Sequence, residues 1–290
     1  IEQVAFADFK NDLLWIKITG TKPFDLNISL FRKENATVSY QNNHITLTGV
    51  LPDDKKEGMH FASAIDVQTD GKAESKEKAI EIQAAKELIL KISMATNYQY
   101  KNGGLSNVSV KEKAESYLQR CTSSFETALA ESKTIYQGLF NKNRWYGKAN
   151  SNTSHLSTYE RLEGFYRGDK DALLPILYYN FGRYLLISSS REGLLPANLQ
   201  GLWAEEYQTP WNGDYHLNIN IQMNYWLAEA TNLSELTEPL NRFTKNVVPN
   251  GHKTAKAYYN AEGWVAHVIS NPWFYTSPGE SAVWGSTLTG

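Results

Sequence analysis

The stretch KNGGLSNVSVKEKAESYLQRCTSSFETALA, residues 101–130, decides how this chain is built. Lys101-Asn102-Gly103-Gly104 is a hinge-like break. After it the spacing of apolar residues changes. Ser109-Val-Lys-Glu112 has the spacing of a capping box, which satisfies two orphan helix amides at once. Ala114, Leu118, Cys121, Phe125, Ala128 and Leu129 then recur at three and four, the mark of a helix with one buried stripe. The spacing predicts one helix to about Asn141, with Cys121 as a packed thiol on its stripe.

Before the break the pattern is that of strands. LLWIKI (13–18), TVSY (37–40), HITLTG (44–49), HFASAIDV (60–67) and ELILKISMA (87–95) are short runs rich in β-branched and aromatic residues. Lys22-Pro23, Asn42-Asn43, Pro52-Asp53-Asp54 and Asp70-Gly71 separate them as turn signals. Such spacing predicts an antiparallel β-sandwich. Asp53, Asp54, Lys55, Lys56 and Glu57 read as a solvated loop.

Beyond the break, residues 148–158 are polar and read as a loop. Asp169 or Asp171 can cap a helix there, with Pro175 in its first turn. Leu174 to Ile187 is apolar nearly all round, so this helix is expected to be buried on most faces. Arg183 within it needs a partner, either a structural ion pair or a substrate. Residues 191–217 hold too many Gly, Pro and Asn for a regular element, and a loop of that length in a compact domain is functional or disordered. Its aromatic content argues against disorder. Met223 to Glu229, Glu235 to Val248 and Thr254 to Asn260 read as helices, the last two parted by Pro249-Asn250-Gly251. No strands alternate with these helices, so a helical toroid or bundle is the expected class.

The bulk numbers exclude several functions. At 290 residues there is room for about two domains of roughly 150. Hydrophobic residues at 41% and charged residues at 21% predict a packed core rather than disorder. A net charge of -2 gives no broad attraction to nucleic acid or anionic membrane, so neither is an expected partner. No apolar run reaches the length of a membrane span. Cys121 is the only cysteine, which excludes an internal disulfide and a cysteine metal cluster. His216, His252 and His267 lack metal-ligand spacing, so no metal and no cofactor are expected.

The candidate chemistry lies in LLPANLQGLWAEEYQTPWNGDYHLNINIQMNYW, residues 194–226. Asn198, Gln200, Asn212, Asn218, Asn220, Gln222 and Asn224 sit among Trp203, Trp211, Tyr215, Tyr225 and Trp226. Carboxamides donate and accept hydrogen bonds in fixed directions, and aromatic faces bury apolar surface while keeping a polar edge. A sugar ring, apolar on its faces and hydroxylated at its rim, suits both. From Asn218 to Asn224, amides alternate strictly with apolar residues. In an extended chain the four amides would share a face. In a helix they would pair as 220 with 224 and 218 with 222. Helix capping and ordinary buried hydrogen bonds are the structural alternative. Six of the eight tryptophans lie from Trp203 onward, and Trp203 and Trp211, in the loop, are the candidates for stacking on a ligand. Glu205, Glu206, Asp214, Glu229, Glu262 and Glu280 are the nearby carboxylates, and no spacing among them specifies the acid and base of glycoside hydrolysis. Tyr215-His216 is a faint hint of a lyase.

ERLEGFYRGDKD (160–171), FGRYLLISSSREGLLPANLQGLW (181–203), PWNGDYHLNINIQMNYWLAEATNLSEL (210–236) and GWVAH…WGSTLTG (263–290) closely resemble glycoside hydrolase family 95, the α-L-fucosidases with some α-L-galactosidases. The resemblance implies an α+β multidomain chain. The C-terminal part of an antiparallel β-sandwich would occupy residues 1–105, a helical linker 106–158, and the N-terminal part of an (α/α)6 catalytic barrel 159–290. It implies inverting hydrolysis with Asn218 and Asn220 as the catalytic amides, polarised by an aspartate. That aspartate and the general acid, a glutamate, are expected beyond residue 290, so the chain reads as an internal piece that is inactive alone. In the family a histidine at the position of His216 goes with fucose. His216, Trp203, Trp211, Gln200 and Asn198 are the expected substrate contacts, and a fucosylated oligosaccharide or polysaccharide is the expected partner. Family habit implies a periplasmic or extracellular location. An incomplete barrel would expose helix faces, so self-association is expected. A non-catalytic carbohydrate-binding protein is the competing class.

Overall fold

The computed structural model describes residues 1–53, 56–148, 153 and 155–279, with the backbone alone at 53, 56 and 57. Contacts divide the chain into two compact units, residues 1–99 with 104–135, and residues 100–103 with 136–290.

The first unit is an antiparallel sheet with helices on one face. Its strands are β1 (Glu2–Asp8), β2 (Leu13–Ile28), β3 (Ala36–Gln41), β4 (His44–Asp53), β5 (Lys56–Thr69), β6 (Lys72–Ser75) and β7 (Ile80–Thr96). Hydrogen bonds join all seven into one sheet in the order β1-β2-β7-β5-β4-β3, with β6 on β7, rather than into two separate sheets. The pairing of β2 with β7 shifts register between Thr19 and Leu26. Irregularities of this kind bend a strand and raise its twist. The period of two then sorts the side chains. Leu13, Trp15, Ala62, Ala64 and Ala95 face α1 (Val110–Arg120) and the start of α2 (Phe125–Phe140). Ile16, Ile18, Ile65, Val67, Leu88 and Leu90 face the other way, into a cluster with Ile28, Ile80 and Ile82. Of the residues expected in a charged loop, Asp53 and Lys56 pair at the ends of β4 and β5, and Asp54 and Lys55 lie outside the described residues.

Two helices replace the single one predicted to Asn141. The backbone turns extended at Cys121, which remains a packed thiol. Ser124 then restarts the helix by accepting from Thr127 N at 3.2 Å. Ser109 caps α1 through Glu112 N at 3.3 Å.

Two cations close the ends of α1 and α2. Lys91, buried in the sheet unit, donates from Nζ to Leu118 O at 3.3 Å and Cys121 O at 3.2 Å. In the second unit Arg183, 0% exposed, donates to Phe140 O at 2.7 Å, Asn143 O at 3.0 Å and Leu139 O at 3.3 Å. Its guanidinium also lies over the Phe140 ring, 5.2 Å from the centroid. The last carbonyls of a helix lack internal partners and carry partial negative charge, so a buried cation is stable there. The expectation of an ion pair or a substrate contact for Arg183 is corrected accordingly.

The second unit carries α3 (Thr158–Tyr166), α4 (Leu174–Ser189), α5 (Asn220–Ala230) and α6 (Glu238–Tyr259). α3 falls partly in what read as a loop. Ser157 and Glu160 form its complete capping box. Asp171 accepts from Leu173 N and Leu174 N at 3.1 Å and holds Arg161 in a two-pronged pair at 2.7 and 3.1 Å. The Arg161 guanidinium, followed by the two amides, pulls the Asp171 carboxyl below its ordinary range. α4 is not buried on most faces. Leu177, Tyr178, Phe181 and Tyr184 are exposed, as are Tyr159, Leu162, Phe165 and Tyr166 of α3. A helix apolar all round needs neighbours all round, and among the described residues α4 has them on one side.

α6 runs through Pro249 as one helix, where two were predicted. A proline removes one helical hydrogen bond, but Phe243, Val247, Gly251, Thr254 and Ala255 still make one buried stripe across it. Residues 263–276 lie along α6, tied by Val265 N to Gly251 O at 3.2 Å and Asn250 Nδ2 to Phe274 O at 2.9 Å.

Candidate active site

The long loop between α4 and α5 is built on two tyrosines that point inward. Tyr225 sits on the buried stripe of α5 with Ile221 and Ala228. Its hydroxyl accepts from Ala197 N at 3.0 Å and lies 2.8 Å from Ser190 Oγ. Burial raises its pKa, against the hydrogen bonds from Ser190 and Ala197. Tyr215 Oη donates to Pro196 O at 3.1 Å. Both rings are anchors, which sets them apart from the tryptophans beside which they stand in the sequence. The hint of a lyase falls with it, since the Tyr215 hydroxyl is engaged inside the unit. The spacing 221, 225, 228 was the signal for Tyr225.

On these anchors the amides form a chain. Asn224 Nδ2 donates to Asn198 O at 2.9 Å. Asn198 Oδ1 accepts from Gln200 N at 2.9 Å, and the backbones of Asn198 and Gly201 pair. Gln200 Nε2 donates to Pro210 O at 3.0 Å. That carbonyl opens a short 3-10 turn, Pro210–Gly213, in which Trp211 and Asn212 take left-handed φ values of 49° and 56°. A bulky residue in that region costs about 1–3 kcal/mol and persists where its surroundings over-determine it. Gly213 follows at φ 63°, where an added Cβ would lie 3.3 Å from Asn198 Nδ2 and 3.8 Å from Gln200 Oε1. Gly201, at φ 68°, lies under the Trp203 ring, which a Cβ would meet at 2.6 Å. The structure therefore joins Asn198, Gln200 and the Trp211 turn to α5, and seats Trp203 beside them.

The alternating amides adopt neither regular geometry throughout. Tyr215–His216 forms a short strand, β8, paired with β9 (Ile269–Ser270). Leu217 N donates to Val268 O at 2.7 Å. The chain then turns through Asn218 and Ile219, and α5 begins at Asn220. Gln222 donates back to Leu217 O, and Asn224 is committed to Asn198. Asn218 is exposed and Asn220 half-buried, and neither side chain makes a hydrogen bond among the described residues. His216 is half-buried two residues before Asn218. Trp203, Trp211 and Trp226 are 50%, 70% and 64% exposed.

The carboxylates scatter. Glu205, Glu206 and Glu262 are exposed, and Glu229 accepts from Ser234 Oγ at 2.6 Å. Asp214 is half-buried after the Trp211 turn, and Glu280 lies outside the described residues. Among the described residues no group of three or more His, Cys, Asp or Glu could hold a metal ion, and no helix is long and apolar enough to cross a membrane. This stretch therefore carries two open carboxamides and several exposed aromatic faces, groups suited to neutral, hydroxyl-rich ligands.

Comparison with known proteins agrees with that chemistry. The catalytic-domain model of glycosyl hydrolase family 95 matches residues 124–290, and the N-terminal-domain model of glycosyl hydrolase family 65 matches residues 1–101. These matches place the protein among the glycoside hydrolases. The chain belongs to glycosyl hydrolase family 95. It is 36% identical over 249 residues to "Alpha-L-fucosidase 2" of Arabidopsis thaliana, covering 81% of this chain and 29% of that protein. It is 39% identical over 212 residues to "Probable alpha-fucosidase A" of Aspergillus niger, covering 70% of this chain and 26% of that protein. The chain thus spans well under two thirds of the length of these relatives. Among solved structures it resembles a putative kojibiose phosphorylase from human microbiome, with a TM-score of 0.56 at 12% identity over 93% of this chain and 34% of that one, a likeness of fold alone.

Proposed function

We propose that this chain forms the water-positioning side of an exo-acting α-L-fucosidase that releases terminal α-L-fucose from a fucosylated oligosaccharide or polysaccharide with inversion. The observation that supports it is the sorting of four alternating amides. Gln222 and Asn224 are committed to backbone carbonyls, while Asn218 and Asn220 make no side-chain hydrogen bond among the described residues. Two carboxamides can each accept a hydrogen bond from one water and hold its lone pair toward an anomeric carbon. A carboxamide is not a base by itself, so a carboxylate must polarise it, and a second carboxyl must protonate the leaving oxygen. Neither role is assigned to a residue of this chain, and the 290 residues alone are proposed to release no fucose.

His216 supports fucose over L-galactose. L-fucose lacks the 6-hydroxyl, and an imidazole fills the space beside its methyl group. Trp203 and Trp211 are proposed to stack on the sugar, with Asn198 and Gln200 holding the turn that carries Trp211. The helices α3 to α6 are proposed as the first part of an (α/α)6 barrel, the sheet unit as part of a β-sandwich, and the site of action as periplasmic or extracellular. The open aromatic faces of α3 and α4 favour self-association of the chain on its own.

The test is hydrolysis of paired aryl α-L-fucoside and α-L-galactoside by the complete polypeptide that carries this sequence. Faster fucoside cleavage is expected. Faster galactoside cleavage would overturn the reading of His216. The exposed tryptophans also suit a non-catalytic carbohydrate-binding protein, and that reading predicts saturable fucose binding with neither substrate cleaved.

A further inference from the structure

His267 is 0% exposed and belongs to none of the candidate contacts above. Its Nδ1 lies 2.7 Å from Thr276 O, and its backbone N–H reaches the same carbonyl at 3.2 Å. Its Nε2 lies 2.6 Å from the hydroxyl of Tyr259 on α6, and the two rings stack at 5.9 Å and 20°. The proton positions follow from the partners. A carbonyl can only accept, so Nδ1 carries the hydrogen. In the neutral ring Nε2 is then an acceptor, and Tyr259 donates to it. One imidazole thereby fixes the segment after Val265 both to α6 and to itself.

The next residue carries the consequence. Val268 O receives the Leu217 N–H at 2.7 Å, and Ile269 and Ser270 pair with His216 and Tyr215. Leu217 lies between His216 and Asn218. We infer that His267 is a positioning residue, which sets the strand pair that presents His216 and Asn218 by holding Val268 in register. This rests on the proposed role of those two residues for its link to sugar binding, but not for its structural content.

Two variants separate hydrogen bonding from bulk. His267→Phe keeps the ring and its stacking on Tyr259 and loses both nitrogens. His267→Asn places an amide N–H near the position of Nδ1 and restores the bond to Thr276 O. In the 290-residue chain, exchange of the Leu217 amide is expected to speed up about tenfold or more in His267→Phe and to return to within about threefold of the parent in His267→Asn. L-fucose affinity of the complete polypeptide should fall and recover in the same order. The imidazole 15N spectrum of the parent protein should show the Nδ1–H tautomer, a reading independent of whether either variant folds. An Nε2–H tautomer, or unchanged Leu217 exchange in folded His267→Phe, would overturn the inference. If the complete polypeptide binds no fucose while Leu217 exchange in the 290-residue chain still responds, the fucosidase reading fails and the positioning role stands.

Discussion

Trp15 of the sheet unit and Trp211 of the helical unit show two uses of the same side chain. Trp15 is 2% exposed, stacks near Phe6 at 6.4 Å, meets Phe125 edge-on at 6.1 Å, and donates from Nε1 to Asp8 at 3.2 Å. Every part of it is accounted for inside its own unit. Trp211 is 70% exposed on a turn held in a left-handed conformation by neighbouring amides. The aromatic cluster around Trp15 closes on itself, and the helical unit sets several of its aromatic groups outward. Apolar surface left in water is unfavourable unless something covers it, so the second arrangement points to a ligand where the first points to stability.

That contrast can be broken by substitution. Trp15→Ala should destabilise the sheet unit by about 3–5 kcal/mol, because it empties a packed aromatic cluster. Urea denaturation measures it, and a loss under about 1 kcal/mol would show that the cluster is not closed. Arg183→Met should cost less, about 1–3 kcal/mol, by leaving the α2 carbonyls of Leu139 and Phe140 without their donor. Thermal unfolding of the helical unit reads that change, and an unchanged midpoint would contradict the end-of-helix role. Trp211→Ala should leave stability within about 0.5 kcal/mol while weakening L-fucose binding. A large stability loss there would turn the supposed platform into core.

Much of this contrast was legible in the residues. The β-branched runs marked five strands, but not β1, where Val4 is the only β-branched residue, nor β6, which is four residues long. The Ser109 cap and the stripe through Leu118 located α1. The break at Cys121 was hidden because Phe125 and Ala128 continue the same spacing by coincidence, and only the serines before Phe125 signal a new cap. Ser157-x-x-Glu160 carried the signal for α3 and was obscured by the polar residues around it. Pro249 reads as a stop, yet tertiary burial on both sides keeps α6 continuous. Arg183 was recognisable as needing a partner. Its partners are backbone carbonyls, which every sequence contains and none advertises. At the site, the density of amides was visible, but their division into bonded and open members depends on where α5 begins.

The amide division is therefore the place to test the account. Asn218→Ala, Asn220→Ala, Gln222→Ala and Asn224→Ala should be compared in the complete polypeptide for fucoside turnover and for thermal midpoint. Turnover should fall by about a hundredfold or more in the first two with an unchanged midpoint. The last two should lower the midpoint and leave turnover of the folded protein within about tenfold of the parent. If Asn218→Ala and Asn220→Ala instead unfold the protein, or turn over fucoside at the parental rate, the two open amides are not the reacting pair.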